Sequence, residues 1–227
     1  MRLCIPITAA TTTEALLKME KGSGLADFLE LRIDGIRKVN LEKLLTARKG
    51  ELIVTNRVKK EGGAFSGSEQ ERVALLIKAV VLGSDYVDLE IRTGKNLITK
   101  LKKAIETGQG HTRLILSYHN FEKTPGLTEL RKKMEEGRGA GADILKIVPY
   151  AEKIEDNLKV LALIPYARQR GLEIIAFCMG PQGAISRVMA PFLGSYLSYA
   201  SLGQGEESAP GQLTVQQMKQ IFRIMKG

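Results

Sequence analysis

The stretch GADILKIVPY, residues 141–150, decides the fold, because it reads as a strand and two other stretches repeat it. Ile144, Leu145, Ile147 and Val148 form an apolar run of the kind that a parallel sheet buries on both faces. Lys146 interrupts that run, and a buried lysine must be paired, reach water along its stem, or lose its proton. The same phrase of glycine, aspartate and strand recurs as GLADFLELRID (24–34) and GSDYVDLEIRT (83–93). Asp27, Asp85 and Asp143 fall at equal intervals of 58 residues, and three residues beyond each stand Glu30, Asp88 and Lys146. These three hold equivalent heights in equivalent strands.

Working outward, eight short apolar runs read as strands: 3–8, 28–33, 52–57, 86–91, 113–119, 144–149, 172–179 and 195–200. The segments between them are amphipathic, with capping pairs Thr11/Glu14, Ser68/Glu71 and Thr214/Gln217 at their starts. Gly83, Gly108, Gly141 and Gly171 stand where left-handed C-terminal caps are expected. Strand alternating with helix implies a parallel sheet. Eight such units in 227 residues, near the usual size of the fold, predict a closed (β/α)₈ TIM barrel, with residues 1–227 as a single α/β domain. A doubly wound dinucleotide fold wants a G-x-G-x-x-G after its first strand, and ITAATTTEALL contains none.

Closure makes the repeat meaningful. One interior layer of a barrel is drawn from alternate strands, so Glu30, Asp88 and Lys146 should converge. Leu29, Leu31 and Ile33, like Val87, Leu89 and Ile91, then face outward to the helices. An interior with carboxylates and one lysine is a structural ion-pair network or part of a functional site.

Composition narrows the function. A formal net charge of +9 admits nucleic acid, a membrane surface or small anions as partners. The cations are scattered, aromatic residues are 5%, tryptophan is absent, and no nucleic-acid-binding signature appears. No apolar run is long enough to span a membrane and MRLCIPIT lacks a signal-peptide layout, so a soluble cytoplasmic protein is expected, with no nucleic acid and no membrane as partners. Cys4 and Cys178 lie in apolar runs and read as reduced core residues.

Of two histidines, His111 precedes the fifth strand and reads as an exposed loop residue, whereas His119 ends that strand at the face where barrels place their chemistry. A lysine with a depressed pKa in an apolar pocket is a neutral nucleophile towards a carbonyl, and a nearby histidine can move the protons that an imine makes labile. No metal-ligand spacing or serine triad is evident, so cofactor-free Schiff-base chemistry is the physical expectation. Arg32, Arg57 and Arg187 offer forked donors for an anionic substrate, Glu61 lies in a glycine-containing loop, and the loop glycines read as ordinary turn chemistry.

LELRID, RVKKEGG, SYHNF, KIV, MGPQGAISR and SAPGQ, in this order, resemble the type I 3-dehydroquinate dehydratase family from the first strand to the last helix. The resemblance implies a barrel, commonly a homodimer, that converts 3-dehydroquinate to 3-dehydroshikimate in the shikimate pathway by syn elimination, without metal or cofactor. It makes Lys146 the imine-forming amine, His119 the proton shuttle and Glu61 the residue that orients it. Arg187 would clamp the substrate carboxylate, Glu30, Arg32, Arg57, Ser208 and Gln212 would bind hydroxyls and carboxylate, and Met179 would pack on the ring. Two departures stand out: Asn120 where an aspartate is common, and the glycine-rich acidic segment ASLGQGEE, which leaves lid closure open. The rival reading is a class I barrel aldolase, though Glu206 and Glu207 make the loop after the eighth strand a poor phosphate site. From another class, a basic binding protein would show salt-dependent nucleic-acid affinity and no trapped adduct.

Overall fold

The structure, a computed structural model, describes residues 1–108 and 111–226. Eight parallel strands, β1 (Leu3–Thr8), β2 (Phe28–Arg32), β3 (Glu51–Thr55), β4 (Tyr86–Glu90), β5 (Arg113–Asn120), β6 (Ile144–Pro149), β7 (Glu173–Ala176) and β8 (Ser198–Tyr199), pair in the order 7-6-5-4-3-2-1-8. Around them lie α1 (Thr12–Gly22), α2 (Leu41–Thr46), α3 (Glu69–Val81), α4 (Lys95–Thr107), α5 (Leu127–Gly139), α6 (Asp156–Leu161), α7 (Leu163–Arg168), α8 (Ala184–Leu193) and α9 (Val215–Lys226). The sheet curls into a nearly closed TIM barrel. No β7–β8 ladder forms among the described residues; the seam is held by Tyr196 N–H donating to Ile174 O at 2.7 Å and by the Ser195 hydroxyl, which reaches Ile174 O and Ala176 N.

The capping signals act as read. Thr11 accepts from Glu14 N, Ser68 and Glu71 form a reciprocal box, and Thr214 and Gln217 do the same at the start of α9. Gly83, Gly141 and Gly171 have φ of 81°, 84° and 66°, as a left-handed cap requires. Gly108 departs from the expectation: its φ is −71° and the chain leaves α4 extended.

The repeated aspartates turn out to be latches. Asp27 Oδ2 accepts from Leu3 N (2.8 Å), Asp85 from Leu52 N (3.0 Å) and Asp143 from Leu114 N (2.7 Å). Each pins an even strand to the first amides of the odd strand before it. Strands β7 and β8 are shorter than the sequence suggests. After Ala176 the chain keeps bonding to β6 irregularly, through Phe177 N to Ile147 O and Met179 N to Pro149 O, and Ser195 and Tyr196 are drawn to the seam instead of a ladder.

Register fixes what faces inward. Leu31, Val54, Val87, Leu89, Leu114 and Leu116 point out and are buried under Leu76, Leu101 and Met218 of the helices. Inside, Cys4, Ile53, Ile115 and Ile175, one from each odd strand and all fully buried, make an apolar floor. Below it Phe28, Tyr86 and Tyr196 plug the N-terminal end, with the two phenol oxygens 2.7 Å apart and the Arg2 guanidinium 3.7 Å over the Tyr196 ring. A ligand can therefore enter from the C-terminal end alone. Cys4 and Cys178 are free and buried.

Candidate active site

Above the floor, the next interior layer holds Glu30 from β2, Asp88 from β4, Lys146 from β6 and Tyr199 from β8. Lys146 Nζ lies 3.2 Å from Glu30 Oε1, 3.0 Å from Asp88 Oδ2 and 2.9 Å from the Tyr199 hydroxyl. The convergence expected from the 58-residue interval is thus present. The fourth member, Tyr199, has no aspartate phrase before it and looks in sequence like an ordinary strand aromatic. The shell of Lys146 also differs from the apolar pocket anticipated for a neutral amine: its nearest partners are two carboxylates and a phenol. Burial, then Glu30, push the Tyr199 phenol well above its ordinary range, so it stays protonated. Burial works against the charge of Asp88 too, yet Arg57 and then Lys146 hold its carboxyl well below the usual range.

His119, one turn of pleat above on β5, is 10% exposed at its side chain. Its backbone N–H donates to Glu61 Oε2 at 2.9 Å and its Nδ1 lies 3.2 Å from the same oxygen. Burial, followed by the nearby Arg57 and Lys146, pushes the imidazole well below its usual pKa, so the ring is neutral and Nε2 is a free base when Nδ1–H points at Glu61. Glu61 sits in a single 3₁₀ turn, Lys59–Glu61, and burial raises its carboxyl to about 7 against the pull of Arg57.

The three arginines divide by commitment. Arg57 is buried and donates to Glu90 Oε1 (3.0 Å), Ser117 Oγ (2.6 Å) and Asp88 Oδ2 (2.9 Å), with Arg72 closing on the other side of Glu90. Arg32 is bidentate to Asp34, both bonds 2.8 Å. Arg187 is almost fully buried, yet it has no carboxylate partner among the described residues. Its Nη2 reaches Pro210 O at 3.4 Å, its Nε makes no hydrogen bond, and its plane lies 4.5 Å over Phe177. Burial alone lowers it to about 10. A desolvated, unpaired guanidinium that faces a pocket is a carboxylate site in waiting.

All ten residues singled out from the sequence, Glu30, Arg32, Arg57, Glu61, His119, Lys146, Met179, Arg187, Ser208 and Gln212, line one pocket, together with Phe121, Val148, Phe177 and Tyr199. Over it lies the loop 202–213, its base tied by Ser201 N to Leu213 O and Val215 N to Ser201 O. Within the loop Ser208 N donates to Gln212 Oε1 at 2.8 Å, and Pro210 O accepts from Gly180 N at 3.1 Å as well as from Arg187. Asn120 caps the turn after β5 by accepting from Glu122 N and Lys123 N, work that its amide oxygen does as well as a carboxylate would. His111 is exposed, as expected.

Comparison with known proteins is consistent with this geometry. The family model for type I 3-dehydroquinase matches residues 3–227. A 3-dehydroquinate dehydratase of Desulfotalea psychrophila is 37% identical over 221 residues, covering 97% of this chain and 96% of that protein. One from Methanocaldococcus jannaschii is 34% identical over 223 residues, covering 98% of each. The crystal structure of 3-dehydroquinate dehydratase from Geobacillus kaustophilus superimposes with a TM-score of 0.91 at 26% identity, covering 99% of this chain and 91% of that one.

Proposed function

Since the chain belongs to the type I 3-dehydroquinase family, we propose that it removes water from 3-dehydroquinate to give 3-dehydroshikimate through an imine on Lys146. The observation that carries the proposal is the opening of Lys146, the Glu61–His119 pair and the unpaired Arg187 into the same pocket. Lys146 Nζ loses a proton to one of its neighbours and adds to the ring ketone. Loss of water from the adduct leaves an iminium, whose positive nitrogen draws electrons from the adjacent carbon and makes its hydrogen acidic. His119 Nε2 takes that proton and returns one to the departing hydroxyl, so acid and base are one group on one face, as a syn elimination needs. Glu61 holds Nδ1–H throughout, and one water then adds back to the product iminium, breaking the bond to Nζ and releasing 3-dehydroshikimate and the free Lys146 amine. Arg187 clamps the carboxylate, Ser208 and Gln212 meet hydroxyls from the loop, Glu30, Arg32 and Arg57 complete the polar wall, and Met179 packs on the ring.

The residues 1–227 would serve as one catalytic domain, as a homodimer in the cytoplasm, supplying aromatic amino acid synthesis. None of the helices among the described residues is long and apolar enough to cross a membrane, and sedimentation would test the dimer. Borohydride added with 3-dehydroquinate is expected to fix ligand mass on Lys146. An adduct on another lysine, or none, would overturn the imine. Parallel assay against sugar phosphates tests the aldolase reading, for which the acidic loop after β8 offers little.

A further inference from the structure

We propose that Arg92, an exposed residue in the turn after β4, is a positioning residue for this reaction: it favours the carboxylate form of Glu61, and Glu61 in that form keeps His119 Nε2 free to accept a proton. The inference rests on the His119–Glu61 reading above.

The geometry around Glu61 is asymmetric. Its Oε2 is taken twice, by His119 N and Nδ1. Its Oε1 is buried without a hydrogen-bond partner, and Arg92 Nε lies 3.9 Å from it. Arg92 reaches that place across the face of Tyr118, its guanidinium carbon 5.4 Å from the ring centre, while 56% of its side chain stays in solvent. A carboxylate oxygen removed from water with no donor disfavours the charged form, so a cation beside it counts.

Of the other charges facing Glu61, Arg57, after β3, pulls its carboxyl down more strongly than Arg92 does, but it is bonded to Asp88 and Glu90 and does not reach the unsatisfied oxygen. Glu90 itself, in β4, opposes the Glu61 charge, His119 on β5 is neutral, and Arg32 on β2 is paired with Asp34. Lys146 on β6 is held by Glu30 and Asp88, and Lys59 and Lys60 in Glu61's own turn are exposed. Arg92 is left on the unsatisfied side.

With burial raising Glu61 to about 7, the group changes state within the working pH range. Above that value the carboxylate accepts Nδ1–H and Nε2 is bare. Below it the carboxyl O–H donates to Nδ1, the ring proton moves to Nε2, and the base is lost. Activity therefore falls as pH drops through about 7, and removing Arg92 moves that fall to higher pH.

The test is the pH profile of kcat/KM for the wild type, Arg92→Gln and Arg92→Lys, at low and high salt. In Arg92→Gln the acid limb should move up by roughly half a pH unit, which is about a threefold loss near pH 6 with little change near pH 9. Arg92→Lys should lie between. High salt should move the wild type towards the variant and leave the variant in place, since a half-exposed charge is screened. Superimposed profiles, or an equal loss at every pH, would overturn the role of Arg92. If instead Glu61→Gln kept normal turnover and the same limb, the His119–Glu61 reading would fail, whatever Arg92 does.

Discussion

Lys146 is held by two carboxylates and a phenol, and His119 by one carboxylate oxygen, so the two groups have separate supports within one pocket. This separation makes their roles separable by mutation. His119→Ala leaves the three partners of Lys146 in place, and the borohydride adduct should still form on it. Turnover should fall about 10² to 10⁴-fold, the usual worth of a positioned acid or base. Loss of the adduct together with turnover would mean that His119 is needed for imine formation as much as for elimination. Lys146 was legible in the sequence because alternation and a repeated interval placed it opposite Glu30 and Asp88. Tyr199 was not, since nothing in LSYA separates a phenol that meets an amine from one that fills a core. The unsatisfied state of Arg187 was equally invisible: sequence offers an arginine after β7, and only packing shows that no carboxylate among the described residues reaches it.

At the level of elements, the strands that carry chemistry were read to within two residues, and those that close the barrel were not. Hydrophobic alternation marks a strand only where a ladder repeats regularly, and the segments around β7 and β8 meet each other through single bonds and side chains. The loop after β8 shows a second limit. Its glycines read as turn residues, yet Gly211, at φ 79°, lies so close to the β7–α8 loop that an added Cβ would stand 2.1 Å from Gly180 O. Gly211→Ala should therefore lift the loop from its seat, breaking the Gly180 N to Pro210 O bond and moving Ser208 and Gln212. A strained left-handed position costs on the order of 1 to 3 kcal/mol, so KM should rise by about tenfold or more. The adduct on Lys146 should persist. An unchanged KM would show that the loop does not set substrate affinity.

Seen whole, the molecule is a ring with one weak joint. Latches at Asp27, Asp85 and Asp143 tie β2 to β1, β4 to β3 and β6 to β5, while between β7 and β8 neither such a latch nor a ladder forms among the described residues. The barrel architecture and the equal interval were legible in the sequence because a duplicated pattern is a one-dimensional signal; the joint was not, because it consists of bonds that are missing. Local opening follows the least protected hydrogen bonds. Hydrogen–deuterium exchange should be faster at amides flanking the β7–β8 joint than along β5 and β6, and equal protection would contradict this. The proposed ligand groups lie on both sides of that joint, Arg187 after β7 and Ser208 and Gln212 after β8. A bound substrate would act as a stitch across the gap, so that the protein's resistance to unfolding would depend on whether its site is filled.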